Sequence, residues 1–257
     1  MEKEQLTHKE FWDNVWNKIQ LPLILEPTAK DTLTKDILRV FENFLPKDRL
    51  SAVEIGGAPG QFIAYLSKHY GYEANVIEYS KIGCRKTAEN FNLLGLNVNI
   101  YNRDFLGDIS DLPRFDLVLS MGFIEHFNKL DDVFRRHIEL LKKGGILILG
   151  VPNFGGINQK VLAQTAPEML SMHNIEAMNI KRWDIIESLY GLTPLFKEYI
   201  GGFEPKTLRR CENRTLKNLS IRYFFKLLNY LMSPFPFLRK YNSPAWSAYL
   251  LGVYKLP

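Results

Sequence analysis

Three acidic residues lie where three successive apolar runs end. Glu54 stands near the end of the run Ser51–Ile55, Glu78 follows Val76-Ile77, and Asp104 follows the third run in Asn102-Arg103-Asp104-Phe105. Between the first two runs lies Gly56-Gly57-Ala58-Pro59-Gly60, a glycine-rich turn that leads into Gln61-Phe62-Ile63-Ala64-Tyr65-Leu66. Strand, glycine turn and helix in that order form a nucleotide-binding crevice. The missing side chains let a ligand approach the backbone, and the helix start offers unpaired N–H groups to a negative group. A carboxylate at Glu78 can accept from both hydroxyls of a ribose. Asp104 can accept from an exocyclic amino group, with Phe105 packed on the base. Taken singly, each acid reads as an ordinary loop residue and the glycines as a tight turn. Three acids after three successive strands all face one crevice, because strand carboxyl ends lie together. Two histidines follow: His126 directly after the fourth run, preceded by Glu125, and His173 in a later loop region. Either can take a proton from a reacting hydroxyl.

These residues need a parallel sheet to bring them together. From residue 51 the pattern alternates strand and helix, the signature of such a sheet. Strands are expected at 51–55, 74–79, 97–101, 115–120 and 146–151, and helices at 60–69, 82–94, 130–142 and 181–190. Lys142-Lys143-Gly144-Gly145 is expected to close the third of these helices, with basic residues in the last turn and glycine beyond. The segments 194–200 and 246–255 are aromatic-rich and read as a pair of strands with an insertion between them. Upstream, Phe11, Trp12, Val15, Trp16 and Ile19 recur at helical spacing, and Asp31–Phe44 reads as a second helix stopped by Pro46. Aromatic stripes of this kind are expected to be core rather than a ligand cage.

At these residues the chain resembles the class I S-adenosylmethionine-dependent methyltransferases, over roughly residues 50–200. Glu54-x-Gly56-x-Ala58-x-Gly60 matches the family's first motif, with Ala58 where glycine is commoner. Glu78 matches its ribose-binding acid and Asp104-Phe105 its adenine-site motif. Phe115–Phe127 resembles the fourth-strand signature and Leu140–Ile148 the fifth. Val151-Pro152-Asn153 with His173 resembles a subgroup that modifies sugars and other small metabolites. The resemblance implies an α/β Rossmann-like, doubly wound seven-stranded sheet of order 3-2-1-4-5-7-6 with strand 7 antiparallel, and S-adenosyl-L-methionine as cofactor. It implies a cofactor site of Glu54, Gly56, Gly57, Ala58, Gly60, Glu78, Tyr79, Asp104, Phe105, Ser120 and Met121, the last two beside the methionine part. The expected reaction is methyl transfer to oxygen or nitrogen of a small acceptor, a sugar or glycan precursor. His126 and His173 are the candidate bases, and Glu125 a group that orients His126 or binds substrate.

Other readings are weaker. A nicotinamide dehydrogenase should show Gly-x-Gly-x-x-Gly, whereas the spacing here is Gly56-Gly57-x-x-Gly60. An RNA methyltransferase should carry an Asn/Asp-Pro-Pro-aromatic motif after the fourth strand to grip a flipped base, and none is present. Glu125-His126-Phe127 also resembles the cyclopropane-fatty-acid synthase relatives, which keeps a lipid acceptor as the alternative. A scaffold that keeps the fold without turnover is disfavoured by the intact acids and glycines. No metal-ligand cluster is apparent from spacing, and Cys84 and Cys211 are isolated.

The 257 residues carry a formal charge of +5, unevenly spread. Lys206 to Lys240 holds nine basic residues and one acid, Glu212, a net +8, which leaves the rest at −3. The basic character belongs to one late segment and not to the body, and a non-specific nucleic-acid binder that uses this segment is a further alternative. Within it, Leu216–Met232 reads as a helix with a wide apolar face and a basic edge formed by Asn218, Arg222, Lys226 and Asn229. Three readings stand for it: a lid or homodimer interface, a helix lying on an anionic membrane, and a site for an acidic or phosphorylated acceptor. The expected organisation is an N-terminal helical cap (1–46), a cofactor-binding core (47–204), a basic amphipathic insertion (205–243) and a final core strand (244–257). No secretory signal or run of ~20 apolar residues is seen, so the expected location is the cytoplasm, with peripheral membrane contact as an option.

Overall fold

The computed structural model describes residues 5–28, 31–203, 215–232, 235 and 241–257. Cys211 and, in the basic segment, Lys206, Arg209, Arg210, Arg214, Arg239 and Lys240 lie outside the described residues.

The chain opens with helices α1 (Lys9–Asn17) and α2 (Thr32–Phe44). It then alternates through β1 (Ser51–Ile55), α3 (Gln61–Tyr70), β2 (Glu73–Ile77), α4 (Lys81–Leu94), β3 (Asn99–Tyr101) and β4 (Phe115–Met121). A 3₁₀ turn (Ile124–His126), α5 (Leu130–Glu139) and β5 (Leu141–Pro152) follow, then α6 (Gly156–Thr165), α7 (Pro167–Ser171), a second 3₁₀ turn (Ile175–Met178), α8 (Ile180–Tyr190), β6 (Thr193–Phe203), α9 (Leu216–Met232) and β7 (Ser247–Lys255). The seven strands form one sheet of order β3-β2-β1-β4-β5-β7-β6. Pairing is parallel from β3 to β5, and β7 runs antiparallel to both β5 and β6. The expected order is therefore the observed one.

Both sheet faces are covered, which is why the central strands read as continuous apolar runs. One layer packs Phe134, Trp183 and Tyr254 with Val118 and Leu147. The other packs Phe41, Ile63, Leu66 and Phe91 with Leu119 and Ile148. Helix α2 belongs to this second layer. Its N-cap Asp31 accepts from Thr34 N–H at 2.8 Å, Phe44 lies against Phe196 of β6, and Asp36 accepts from Gly201 N–H at 2.9 Å. Only α1, of the two N-terminal helices, stands clear of the sheet as a cover; it packs on α4.

The helix expected at 130–142 ends at Glu139, and Lys142–Gly145 lie within β5. The register against β4 slips between Phe115 and Leu117, and Gly144 takes φ +73°. The slip lets Lys142 reach the Asp116 carboxylate at 3.0 Å. Helices α6 and α7 were not expected from the sequence; each is short and turns little apolar surface one way. β1 lies between β2 and β4, whose connections depart to opposite sides of the sheet. The crevice beyond its carboxyl end is the topological switch point of the fold.

Candidate active site

The turn after β1 is built around glycines that nothing larger replaces. Gly56 has φ +62°, and a Cβ there would lie 2.2 Å from the Phe123 ring. Gly60 has φ +81° and caps α3, with Phe91 2.9 Å from any added Cβ. Glu54 sits beneath the turn. It is buried, it accepts from Ile63 N–H at 3.0 Å, and its carboxyl fills the space where a Gly57 side chain would stand. Burial raises its pKa to about 8. Its role in this geometry is to hold the turn against the start of α3 from below. Asn90, which spacing did not single out, ties the turn from above: its Nδ2 donates to Pro59 O (3.0 Å) and Leu23 O (2.8 Å), and its Oδ1 accepts from Leu23 N–H (2.6 Å). A polar residue on the inward face of a helix was its one sequence signal.

Glu78 lies just past β2, buried at the mouth of the crevice, and accepts from Ser80 N–H at 2.7 Å. Burial pushes its pKa up to about 7, against the hydrogen bonds it accepts from Ser80, Ala58 and Tyr79 backbone. Gly83 makes room for it, since a Cβ there would meet the Glu78 carboxyl at 2.9 Å. Asp104 is exposed at the end of β3, where its Oδ1 accepts from Leu106 N–H at 3.0 Å. Two adjoining shallow pockets run across these strand ends. Gly56, Tyr79, Asp104, Phe105 and Phe123 line one; Thr7, Trp12, Trp16, Glu78, Gly122 and His126 line the other.

Two expected members, Ser120 and Met121, stand elsewhere. Ser120 is buried, and its hydroxyl meets His137 Nε2 at 2.9 Å. His137 gives its Nδ1–H to Val133 O at 2.7 Å, so Nε2 accepts and the serine donates. Met121 faces the opposite layer, its sulfur packed over Gly150. Side chains alternate across a strand, and both ends of that alternation point into core here. Gly122 and Phe123, one turn later, reach the cleft instead. Phe105 is 5% exposed, its ring edge-on to Phe123 and His137, so it forms floor rather than an open stacking face.

Helix α1 covers the cleft. Leu6 N–H donates to His126 O at 2.8 Å, and Asp13 accepts from the Ser80 hydroxyl at the start of α4. The aromatic stripe expected to be core is divided by this placement: Trp12 and Trp16 stack on each other and line the cleft, and Trp12 meets the His126 ring at 5.1 Å. Trp16 Nε1–H is buried with no partner among the described residues.

At the far end of the cleft the fold gathers Glu125, His126 and His173. Ligand-capable atoms of the three lie within 4.8 Å of one another. Spacing gave no sign of such a group, because His173 is distant in sequence and comes in on the loop after α7. Glu125 is buried, its Oε2 has no hydrogen-bond partner among the described residues, and burial raises its pKa to about 8. Burial and the neighbouring His173 lower His126 to about 4, which keeps its ring neutral at physiological pH.

Residues 53–147 match the family model of a methyltransferase domain. Over that stretch the chain carries a methyltransferase domain of the S-adenosylmethionine-dependent kind. Among curated proteins it is similar to a ubiquinone biosynthesis O-methyltransferase of Pelagibacter ubique (strain HTCC1062), 24% identical over 163 residues; the match spans 60% of this chain and 64% of that protein. Among solved structures it is similar to a methyltransferase from Geobacter sulfurreducens in complex with S-adenosyl-L-homocysteine, with a TM-score of 0.61, 10% identity, and 98% and 100% of the two chains covered. It is also similar to a coclaurine N-methyltransferase bound to N-methylheliamine and S-adenosyl-L-homocysteine, with a TM-score of 0.59, 10% identity, and 99% and 88% covered. The solved structures share the fold of this methyltransferase.

The residues present fit the family's cofactor. A buried carboxylate at Glu78 and an exposed one at Asp104 flank the cleft beside Gly56, the two acceptors that the ribose hydroxyls and amino group of an adenosine require. On the late segment, α9 of this methyltransferase packs against α6 by Asn218, which donates to Gln164 O at 3.0 Å, and by Phe225. The expected polar edge is thus turned inward at Asn218, while Tyr223, Phe224, Leu227 and Leu231 are exposed. No helix among the described residues is long and apolar enough to cross a membrane.

Proposed function

We propose that this chain transfers the methyl group of S-adenosylmethionine to a hydroxyl oxygen of a small ring-bearing acceptor, with a sugar or glycan precursor as the preferred class. The observation that carries the reading is the position of Glu125, His126 and His173. They form a proton-handling group at the end of the cleft whose other end holds Glu78 and Asp104.

S-adenosylmethionine, when bound, supplies a methyl group on a sulfonium that is already a good leaving group. The work left to the chain is alignment, worth ~7–11 kcal/mol in well-oriented reactions, and removal of the acceptor's proton. Glu78 would accept from the ribose hydroxyls and Asp104 from the adenine amino group, and Gly122 and Phe123 would border the methionine end. Trp12 and Trp16 close the acceptor side and keep water out. The hydroxyl proton goes to the Glu125–His126–His173 group, the titratable set at that end.

A second reading has one observation behind it. The walls formed by Trp12, Trp16, Phe123 and Phe127 suit a flat phenolic ring as well as a sugar face, and the curated relative is named for ubiquinone biosynthesis. Calorimetric titration with S-adenosylhomocysteine, followed by transfer from methyl-labelled S-adenosylmethionine to panels of nucleotide sugars and of catechols, tests both. Labelled product from the sugar panel is expected. Product from the catechols alone would replace the first reading with the second, and absence of S-adenosylhomocysteine binding would overturn both.

A further inference from the structure

We propose that Glu125, His126 and His173 form a three-ligand site for a divalent transition-metal ion at the acceptor end of the cleft. The inference rests on the functional reading above for the meaning of that end, but its geometry stands by itself.

The two histidines are oriented as metal ligands are. His126 lies 2.9 Å from Met172 O through Nδ1, and His173 lies 2.6 Å from Met169 O through its own Nδ1. A carbonyl only accepts, so both Nδ1 atoms carry the proton and both Nε2 atoms carry the lone pair. A ligating histidine is set in this way by a backbone carbonyl behind it. The third group is a carboxylate: Glu125 Oε1 lies 3.8 Å from His126 Nε2, and its Oε2 is buried without a hydrogen-bond partner among the described residues. A buried carboxylate oxygen left without a partner is expensive, and a cation satisfies it directly.

The support is rigid. Asn174 N–H donates to Glu125 O at 2.6 Å, and Asn174 Nδ2 donates to Phe127 O at 2.9 Å, which clamps the 169–174 segment to the 124–127 turn. Phe154 packs edge-on to His173 at 4.8 Å, and the two imidazole rings lie 4.6 Å apart. Ligands ~2.1 Å from one ion lie at most ~4.2 Å apart. The widest separation in the group is 4.8 Å at most, so closure by roughly half an ångström of side-chain rotation completes the site. Two imidazoles and one carboxylate select zinc or iron over magnesium and calcium, and three protein ligands leave coordination positions open. His126 lines the cleft, so the open side faces the acceptor. With the ion bound, the two Nε2 atoms are ligands and no longer accept a proton; an acceptor oxygen bound there would be held and its proton acidity raised by the ion, and the proton would pass to the second Glu125 oxygen or to water.

The test uses metal-free full-length protein titrated with Co²⁺ and Zn²⁺. One ion per chain is expected, with Co²⁺ giving visible ligand-field absorption, and His126→Ala and His173→Ala each weakening binding by about tenfold or more. Circular dichroism melts check that each variant folds. A measurement on unaltered protein guards against misfolded variants: Co²⁺-loaded protein should show two hyperfine-shifted exchangeable imidazole N–H proton resonances. No saturable binding, binding unchanged in His173→Ala that folds, or fewer than two such resonances would overturn the site. S-adenosylhomocysteine titration of the same protein separates the two failures. Cofactor binding without metal binding would remove this site and leave the proposed reaction standing.

Discussion

The Ser120 hydroxyl donates to Nε2 of His137 across 2.9 Å in the core between β4 and α5. Both residues are buried, and His137 is held neutral, its pKa lowered to about 4 by burial. Ser120→Ala would leave the imidazole nitrogen buried without a donor, which costs on the order of 1–3 kcal/mol. Chemical denaturation should show that loss. Affinity for S-adenosylhomocysteine should stay within about threefold, a change below 1 kcal/mol. A large loss of affinity at unchanged stability would return Ser120 to the cofactor site.

Glu78 makes cofactor binding depend on pH. In the empty protein burial raises its pKa to about 7. Ribose hydroxyls donate to the ionised form, so binding draws a proton off below that value. Affinity for S-adenosylhomocysteine should fall by up to about tenfold per pH unit below pH 7 and level off above it. Stability of the empty protein moves the other way. A raised pKa contributes stability that is fully present below the unfolded value and lost as pH rises through about 7. The melting temperature of the empty protein should therefore drop across that window while the shift induced by S-adenosylhomocysteine grows. Glu78→Gln should flatten both slopes and lower affinity by about tenfold or more at alkaline pH, the loss of charge-assisted hydrogen bonds. A wild-type profile that Glu78→Gln reproduces would assign the pH dependence to other groups, Glu54 foremost.

Asn90 is predicted to act on affinity without touching ligand. It makes three hydrogen bonds that join Leu23, Pro59 and α4, and it is fully buried. Asn90→Ala removes them all and strands a buried N–H and two carbonyls, a loss on the order of 2–4 kcal/mol in stability. The glycine turn then loses its upper tie, and S-adenosylhomocysteine affinity should fall together with the melting temperature. Unchanged affinity in a destabilised variant would show that Glu54 alone keeps the turn in place.

How far the site could be read from the sequence follows from how local each feature is. The glycine turn, Glu78 and Asp104 are legible because a strand, a turn and a helix within about 20 residues fix their neighbourhood. The sheet order was carried by the family resemblance, and the alternating runs supported it. Ser120 and Met121 were placed by their position along β4, but facing is decided by the pleat and by which layer offers a partner, here His137 and Gly150. Asn90 needed the fold of residues 21–25 over α4, a contact 67 positions apart. The meeting of Glu125 with His173 needed α6 and α7, the two helices that the sequence did not announce. Trp12 and Trp16 show the same limit: helical periodicity finds an apolar stripe, and only the packing of α1 over the strand ends turns it to a cleft.

Helix α9 should carry the chain to an anionic bilayer. Its inner side is held by Asn218 and Phe225, and its outer side presents Tyr223, Phe224, Leu227 and Leu231, each more than half exposed, beside the exposed Lys217, Arg222 and Lys226. Exposed apolar surface with a basic border is the pattern of a helix that lies in the membrane interface, where burial and attraction to anionic headgroups add. Vesicles containing phosphatidylglycerol should retain the protein in flotation, and retention should fall as salt rises, because the basic part of the attraction is screened over about 10 Å at 0.1 M salt. Phosphatidylcholine vesicles should retain much less. Phe224→Glu with Leu227→Glu, both on the outer side and away from the cleft, should abolish retention without lowering the melting temperature. Equal retention by neutral vesicles would assign binding to apolar insertion alone. A double variant that still floats would place the contact elsewhere, and light scattering that showed a dimer dispersed by the same changes would assign this face to a second copy of the chain.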